Sequence, residues 1–143
     1  MTDLVIDSNV LLASAFVELY SPQARALVAR VIRSGHTLHG PALLQYEIVT
    51  VVRKAVHSGR ITELEGRRIK DRLLMTEMKI HVSLDLINRG YELAEELRLP
   101  RAYDTQYIAL AEYLNCELWT GDERLFNGVR AAFSNIRWLG EYE

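Results

Sequence analysis

Five short apolar runs alternate along this chain with longer segments of helical periodicity. The apolar runs cover residues 4–6, 37–39, 80–82, 117–119 and 136–138. The helical patterns cover residues 10–18, 22–34, 41–57, 62–76, 85–97 and 103–114. Strands that alternate with helices are typical of a mostly parallel sheet with both faces covered. The sequence therefore predicts an α/β fold of three layers, with about five central strands flanked by helices.

The length and charge of the chain limit the classes of protein to which it can belong. Its 143 residues predict a single domain over residues 1–143. The 17 basic and 19 acidic side chains give a net charge of −2, so a nucleic acid would have to be attracted by a local basic patch. Asp3 and Asp7 precede the apolar run 10–17 where a signal peptide would need Lys or Arg. No stretch approaches the ~20 apolar residues of a membrane span. We expect a cytoplasmic protein that does not bind membranes.

Four acidic residues stand where a parallel sheet delivers side chains to one edge. Asp7 ends the first strand. Asp122 comes shortly after Leu118 and Trp119, the apolar pair of the strand 117–119. Glu47 and Asp104 lie on predicted helices, each beside apolar residues at helical spacing. Because ligands gather beyond the carboxyl ends of parallel strands, these four side chains are candidates for one site.

Each of these acids also has a purely structural interpretation, which the sequence leaves open. Asp7, Asp104 and Asp122 stand where an aspartate caps a helix or closes a turn. Glu47 can lie at the edge of its apolar stripe and pair with Lys54 or an arginine.

Clustered carboxylates would repel one another and raise each other's pKa values unless a cation neutralised them. Oxygen ligands alone favour a hard cation, Mg²⁺ or Mn²⁺, over zinc. The chain has no GxxxxGK[ST] phosphate loop and no GxSxG serine element. These observations predict a site for one or two divalent ions.

Four motifs resemble those of PIN-domain ribonucleases, most closely the VapC-type toxins of prokaryotic toxin–antitoxin pairs. The matching elements are Asp7-Ser8-Asn9, Glu47, the segment 103–111 around Asp104, and Thr120-Gly121-Asp122-Glu123-Arg124-Leu125. The resemblance implies a PIN-like fold in which Asp7, Glu47, Asp104 and Asp122 bind metal and act in catalysis. It assigns supporting roles to Asn9 and Thr120. It also implies a homodimer and inhibition by a small antitoxin protein.

The activity that follows is Mg²⁺- or Mn²⁺-dependent endoribonuclease cleavage of RNA by metal-assisted phosphodiester hydrolysis. Two other functions stay open. A PIN protein can serve RNA processing without any toxin role, and a protein that keeps the fold can be a non-catalytic RNA or protein interaction module.

A basic segment is the leading candidate for binding RNA phosphates. Residues 53–72 hold seven basic side chains against three acidic ones, a local net charge of +4. The alternative is a solvated helix whose charges pair at i,i+4 spacing. The candidate RNA-binding residues are Arg53, Lys54, Arg67, Arg68 and, just before Asp104, Arg101.

Aromatic and apolar side chains near the acids have two possible roles each. Tyr46, Tyr103 and Tyr107 are placed to stack on unpaired bases, although core packing is favoured for Tyr107. An apolar face in the first helical region serves either the core or a dimer contact; it comprises Leu11, Leu12, Phe16, Leu19 and Tyr20.

Overall fold

The computed structural model describes residues 3–143, whose centre is a five-stranded sheet. The strands are β1 (Leu4–Ile6), β2 (Leu38–Pro41), β3 (Lys79–His81), β4 (Glu117–Thr120) and β5 (Ile136–Trp138). They lie in the order β3-β2-β1-β4-β5, and every pairing between them is parallel. This confirms the predicted α/β class and strand number.

Seven α-helices in the described part of the chain flank this sheet. They are α1 (Ser8–Ala15), α2 (Ser21–Arg33), α3 (Leu43–His57), α4 (Glu63–Leu74), α5 (Leu84–Glu96), α6 (Asp104–Leu114) and α7 (Glu123–Val129), and a short 3₁₀ helix follows at Leu139–Glu141. Within residues 3–143, no helix is long and apolar enough to cross a membrane.

The sequence did not predict α7, and two other helices begin or end away from their predicted positions. Helix α7 spans only 7 residues, too few to show a helical period beside a turn-like Thr-Gly-Asp. Helix α1 begins at Ser8 and ends at Ala15, where the prediction was 10–18, because Phe16 is already extended. Pro41 closes strand β2, so α3 begins at Leu43 and not at residue 41. The remaining boundaries differ from the prediction by one or two residues.

The core surrounds β1 and helix α6. All three residues of β1 are at most 1% exposed, which requires cover on both faces because successive strand side chains point to opposite sides. Helix α6 packs against β1, β2 and β4 and is apolar on most of its circumference. Its first residue, Asp104, is therefore held at the carboxyl edge of the three central strands.

Helices α3 and α4 form a hairpin that turns around residues 58–60. Gly59 adopts a φ of 80°, a left-handed conformation that favours glycine. Gly66 lies so close to α3 that a Cβ atom there would come within 2.3 Å of Val56 Cγ2. Thr62 and Glu65 form a capping box at the start of α4. The basic segment therefore has a rigid scaffold.

Candidate active site

The centre of the site is Asp7, where strands β1 and β4 end side by side. The Asp7 backbone N–H donates to the Trp119 carbonyl at 2.9 Å, which continues the ladder beyond β1. Its side chain is buried, with 4% of the residue exposed. Carboxylate oxygen Oδ2 accepts from Thr120 Oγ1 at 3.0 Å and from Asn9 Nδ2 at 3.2 Å. Two donors from different elements thus fix the orientation of this carboxylate.

The same two side chains hold the loop that follows β4. Asn9 Oδ1 accepts from the Gly121 backbone N–H at 2.8 Å. Thr120 Oγ1 accepts from the Asp122 backbone N–H at 3.0 Å. Asn9 and Thr120, the two residues to which the resemblance gave supporting roles, therefore link Asp7, helix α1 and the start of α7.

Asp7 stands at the N-cap position of α1, but its carboxylate makes no capping hydrogen bond of normal geometry. The capping interpretation therefore does not account for this buried acid. Burial raises the pKa of Asp7 from its ordinary 3.8 to about 7, and the negative charges of Asp104 and Glu47 add to the effect. A carboxyl with this pKa is only partly ionised at neutral pH, and a nearby cation would favour its charged form.

Glu47 is half-buried on α3 and turns toward Asp7. Its Oε1 accepts hydrogen bonds from Tyr107 Oη and from Ser8 Oγ, the latter at 3.3 Å. Partial burial raises its pKa, and the charge of Asp104 acts in the same direction. Of the two interpretations of Glu47, the pairing with Lys54 or an arginine is not seen within residues 3–143, where two hydroxyls are the partners of this carboxylate.

Helix α3 packs on the core through one apolar stripe. Its buried members are Leu44, Ile48, Val52 and Ala55, and Val51 is 37% exposed. Glu47 consequently lies at the edge of the stripe, where one carboxylate oxygen reaches Tyr107 and the side chain remains partly open to solvent.

Asp104 and Asp122 differ in how the fold uses them. Asp104 is the first residue of α6; the N-cap is Tyr103, which makes no side-chain capping bond. Partial burial of the Asp104 carboxylate and the charge of Asp122 raise its pKa. Asp122 is the N-cap of α7, and its Oδ1 accepts from the backbone N–H groups of Arg124 at 3.0 Å and Leu125 at 3.1 Å. For Asp122 the capping interpretation is confirmed.

The charges of the four acids act on one another, although their side chains do not surround a common metal position. Asp7 feels the charges of Glu47 and Asp104, and Asp104 feels that of Asp122. Within residues 3–143, no three acidic, histidine or cysteine side chains lie close enough together to hold one metal ion as placed. The donors are all carboxylate oxygens whose mutual repulsion a hard cation would relieve, so the chemistry of the set fits Mg²⁺ or Mn²⁺.

The basic segment lies on the α3–α4 hairpin and is partly neutralised. Arg53 pairs with Glu63 at 3.2 Å and Lys70 with Asp71 at 2.5 Å, and neither pair has the i,i+4 spacing of the charge-pairing interpretation. Exposed pairs of this kind contribute little stability. Other basic side chains of the segment are exposed, namely Lys54, Arg67, Arg68 and Arg72. Arg101, in the loop before α6, is exposed as well.

The three candidate tyrosines divide into one core residue and two surface residues. Tyr107 is 1% exposed, whereas Tyr46 and Tyr103 are 73% and 58% exposed. The two exposed rings line a largely apolar cavity of about 340 Å³ together with His81 and Ile87. Tyr46 and Tyr103 each adjoin a candidate acid in the sequence, but none of the four acids lines this cavity.

The apolar face of the first helical region belongs mostly to the core. Leu11, Leu12 and Phe16 are at most 5% exposed, and only Leu19 is exposed, at 80%. The core interpretation is therefore correct for the helical residues of this face.

Ser8 and Tyr107 are the site residues whose contacts the sequence reading missed. Ser8 Oγ lies 3.3 Å from Glu47 Oε1 and 3.4 Å from Asp7 Oδ1, between the two carboxylates. The available signal was a tyrosine in the buried face of α6, because a buried phenol usually needs a hydrogen-bond partner. The spacing of residues along the sequence does not predict that the partner of Tyr107 is Glu47 on another helix.

Comparison with known proteins supports the same fold and family. The PIN domain family model matches residues 5–138. Ribonuclease VapC9 of Mycobacterium tuberculosis is 35% identical over 125 residues, 85% of this chain and 87% of the relative. A crystal structure of PAE2754 from Pyrobaculum aerophilum has a TM-score of 0.67 at 21% identity, covering 89% of this chain and 86% of that one. A toxin–antitoxin complex from Klebsiella pneumoniae has a TM-score of 0.65 at 17% identity, covering 95% and 97%.

Proposed function

This chain belongs to the PIN domain family, and on that basis we propose that it is a Mg²⁺- or Mn²⁺-dependent endoribonuclease, the toxin of a VapBC-type pair. The observation that carries the proposal is the group of three carboxyls with raised pKa values at one sheet edge, Asp7, Glu47 and Asp104. Burial is the largest cause of each shift, and no basic side chain is among the groups that shift these three pKa values, so no cation of the described chain balances the carboxyls. The similarity to a named ribonuclease supports RNA as the substrate.

The proposed roles follow from the position of each side chain. Asp7, Glu47 and Asp104 bind one or two divalent ions directly, and Asp122, whose Oδ1 caps α7, acts through water. Such an ion supplies the positive charge that polarises a phosphodiester and lowers the pKa of an attacking water. Asn9 and Thr120 keep Asp7 in place through their hydrogen bonds to its Oδ2.

RNA cleavage in the presence and absence of metal tests the reaction. We expect a single-stranded RNA to be cut with Mg²⁺ or Mn²⁺ and to remain intact with excess EDTA, and readdition of metal should restore the activity. A gel-based assay with a labelled oligoribonucleotide measures this. Cleavage that persists in EDTA would contradict metal dependence, and intact RNA under all conditions would favour a non-catalytic interaction module.

We propose that RNA phosphates bind to the exposed cations beside the site. The α3–α4 hairpin that holds Arg53, Lys54, Arg67 and Arg68 is continuous with Glu47 through helix α3. Arg101 lies three residues before Asp104, in the loop that leads into α6, and is exposed. Exposed Tyr46 and Tyr103 are available to stack on bases, which favours an unpaired strand over a duplex.

Reversing two charges of the hairpin tests this surface. We expect Arg67→Glu with Arg68→Glu to weaken RNA binding by roughly tenfold or more. The slope of log affinity against log salt should fall by about 1.4 if each arginine contacts one phosphate of a single strand. Fluorescence anisotropy in EDTA measures both. Arg25→Glu with Arg33→Glu, two exposed positions on α2, is the matched control. Equal effects of the two double variants would remove the hairpin from the proposal.

The proposed setting is that of a small toxin with protein partners. We propose that residues 1–143 act as one domain, form a homodimer, bind a small antitoxin and work in the cytoplasm. The structural likeness to a chain of a toxin–antitoxin complex supports the antitoxin. Exposed apolar side chains at the start of α5, Leu84 and Ile87, offer a surface for the second copy.

A further inference from the structure

A buried tyrosine on α6 reaches the acid on α3. Tyr107 is 1% exposed, and its hydroxyl donates a hydrogen bond to Glu47 Oε1. Ser8 Oγ lies 3.3 Å from the same oxygen and 3.4 Å from Asp7 Oδ1, so its single proton is shared between the two carboxylates. Among the described residues, Glu47 Oε2 receives no hydrogen bond. Two donors therefore converge on one oxygen of Glu47 and leave the other available.

Both donors are buried side chains held by the packing around them. Tyr107 belongs to α6, which packs on the three central strands, and Ser8 is the buried first residue of α1. Glu47 is half-buried on a helix edge, where its three side-chain torsions would otherwise be free. Hydrogen bonds to an ionised carboxylate are stronger than neutral ones. The contacts thus select one orientation of Glu47.

We propose that Tyr107 is a positioning residue that, with Ser8, turns Glu47 so that Oε2 serves as its single metal-binding oxygen. The inference rests on the function proposed above and deepens its metal site. Tyr107 touches neither the ion nor RNA in this role and acts only through Glu47. Removing a residue that holds a metal ligand by a hydrogen bond typically lowers the metal affinity 10- to 100-fold.

The test is Tyr107→Phe, which removes the hydroxyl and keeps the buried ring. We expect the affinity for Mn²⁺, measured without RNA by electron paramagnetic resonance of the free ion, to fall about tenfold or more. Tyr113→Phe is the matched control, because Tyr113 lies on the same helix and is 71% exposed. Its affinity should equal that of the unmodified protein. Circular dichroism checks that both variants are folded.

A double-mutant cycle with Glu47→Gln separates positioning from a general structural effect. In the Glu47→Gln protein, Tyr107→Phe should change the Mn²⁺ affinity less than twofold, because the ligand that the hydroxyl orients is already gone. A similar loss in both backgrounds would overturn the inference, and so would an unchanged affinity of the single Tyr107→Phe variant.

The cycle is independent of catalysis, so its outcome and that of the proposed function are distinguishable. If the protein binds Mn²⁺ but cuts no RNA, the ribonuclease proposal fails while the coupling between Tyr107 and Glu47 is still measured. If it cuts RNA and the cycle shows no coupling, only the positioning role fails. An unmodified protein that binds no Mn²⁺ would overturn the inference directly.

Discussion

Replacing Asp7 with asparagine should abolish RNA cleavage while the protein stays folded. Asparagine has nearly the same shape, and its amide oxygen can still accept the hydrogen bond from Thr120. What it lacks is the negative charge at the point where β1 and β4 meet. A bound ion supplies several kcal/mol of charge stabilisation in reactions of this type, so we expect the rate to fall by about 1,000-fold or more. The measurement is cleavage of a labelled oligoribonucleotide at saturating Mg²⁺.

Asp85→Asn is the matched control for this substitution. Asp85 is exposed in the first turn of α5, and the same change there should leave the cleavage rate within about twofold of the original. Expression in cells extends the comparison, because the toxin proposal predicts that the unmodified protein and Asp85→Asn arrest growth while Asp7→Asn does not. Undiminished cleavage by Asp7→Asn would contradict the assigned role. Cleavage without any growth effect would favour RNA processing.

The strand positions and the order of the acids were readable from the sequence because both are local signals. Short apolar runs mark buried strands, and Asp7 directly follows one of them. In a parallel sheet the carboxyl ends meet at one edge, so an acid's position relative to its strand predicts its place in three dimensions. The same argument located Glu47 and Asp104 at the start of helices that follow or cross the central strands.

Contacts between distant elements were not readable in the same way. The bond from Tyr107 to Glu47 joins helices 60 positions apart, and it depends on the angle at which α6 crosses the sheet. Asp122 shows the opposite case. Its capping bonds from Arg124 and Leu125 are local, so the sequence could suggest them, and they occupy only Oδ1. Spacing predicts which residues reach an edge, whereas packing decides what each one touches there.

The pKa of Asp7 also predicts how the stability of the metal-free protein changes with pH. Burial and the charges of Asp104 and Glu47 raise this pKa from 3.8 to about 7 in the folded state. Because the folded protein binds the proton more tightly than the unfolded chain, the contribution to stability is complete below about pH 4. It is lost as the pH rises through 7. The raised pKa values of Glu47 and Asp104 act with the same sign.

Thermal unfolding in EDTA at pH 5 and at pH 8 should therefore separate the original protein from Asp7→Asn. We expect Asp7→Asn to be the more stable of the two at pH 8, by roughly 2–4 kcal/mol, and the difference to shrink toward pH 5. The histidines are the same in both proteins, so their titration cancels in the comparison. Adding Mg²⁺ at pH 8 should raise the melting temperature of the original protein and have little effect on the variant, because an ion that binds only the folded state stabilises it. If stability changes with pH in the same way in both proteins, the pKa of Asp7 is not raised in the folded state. Replacing its carboxyl with an amide would then give no added stability at pH 8.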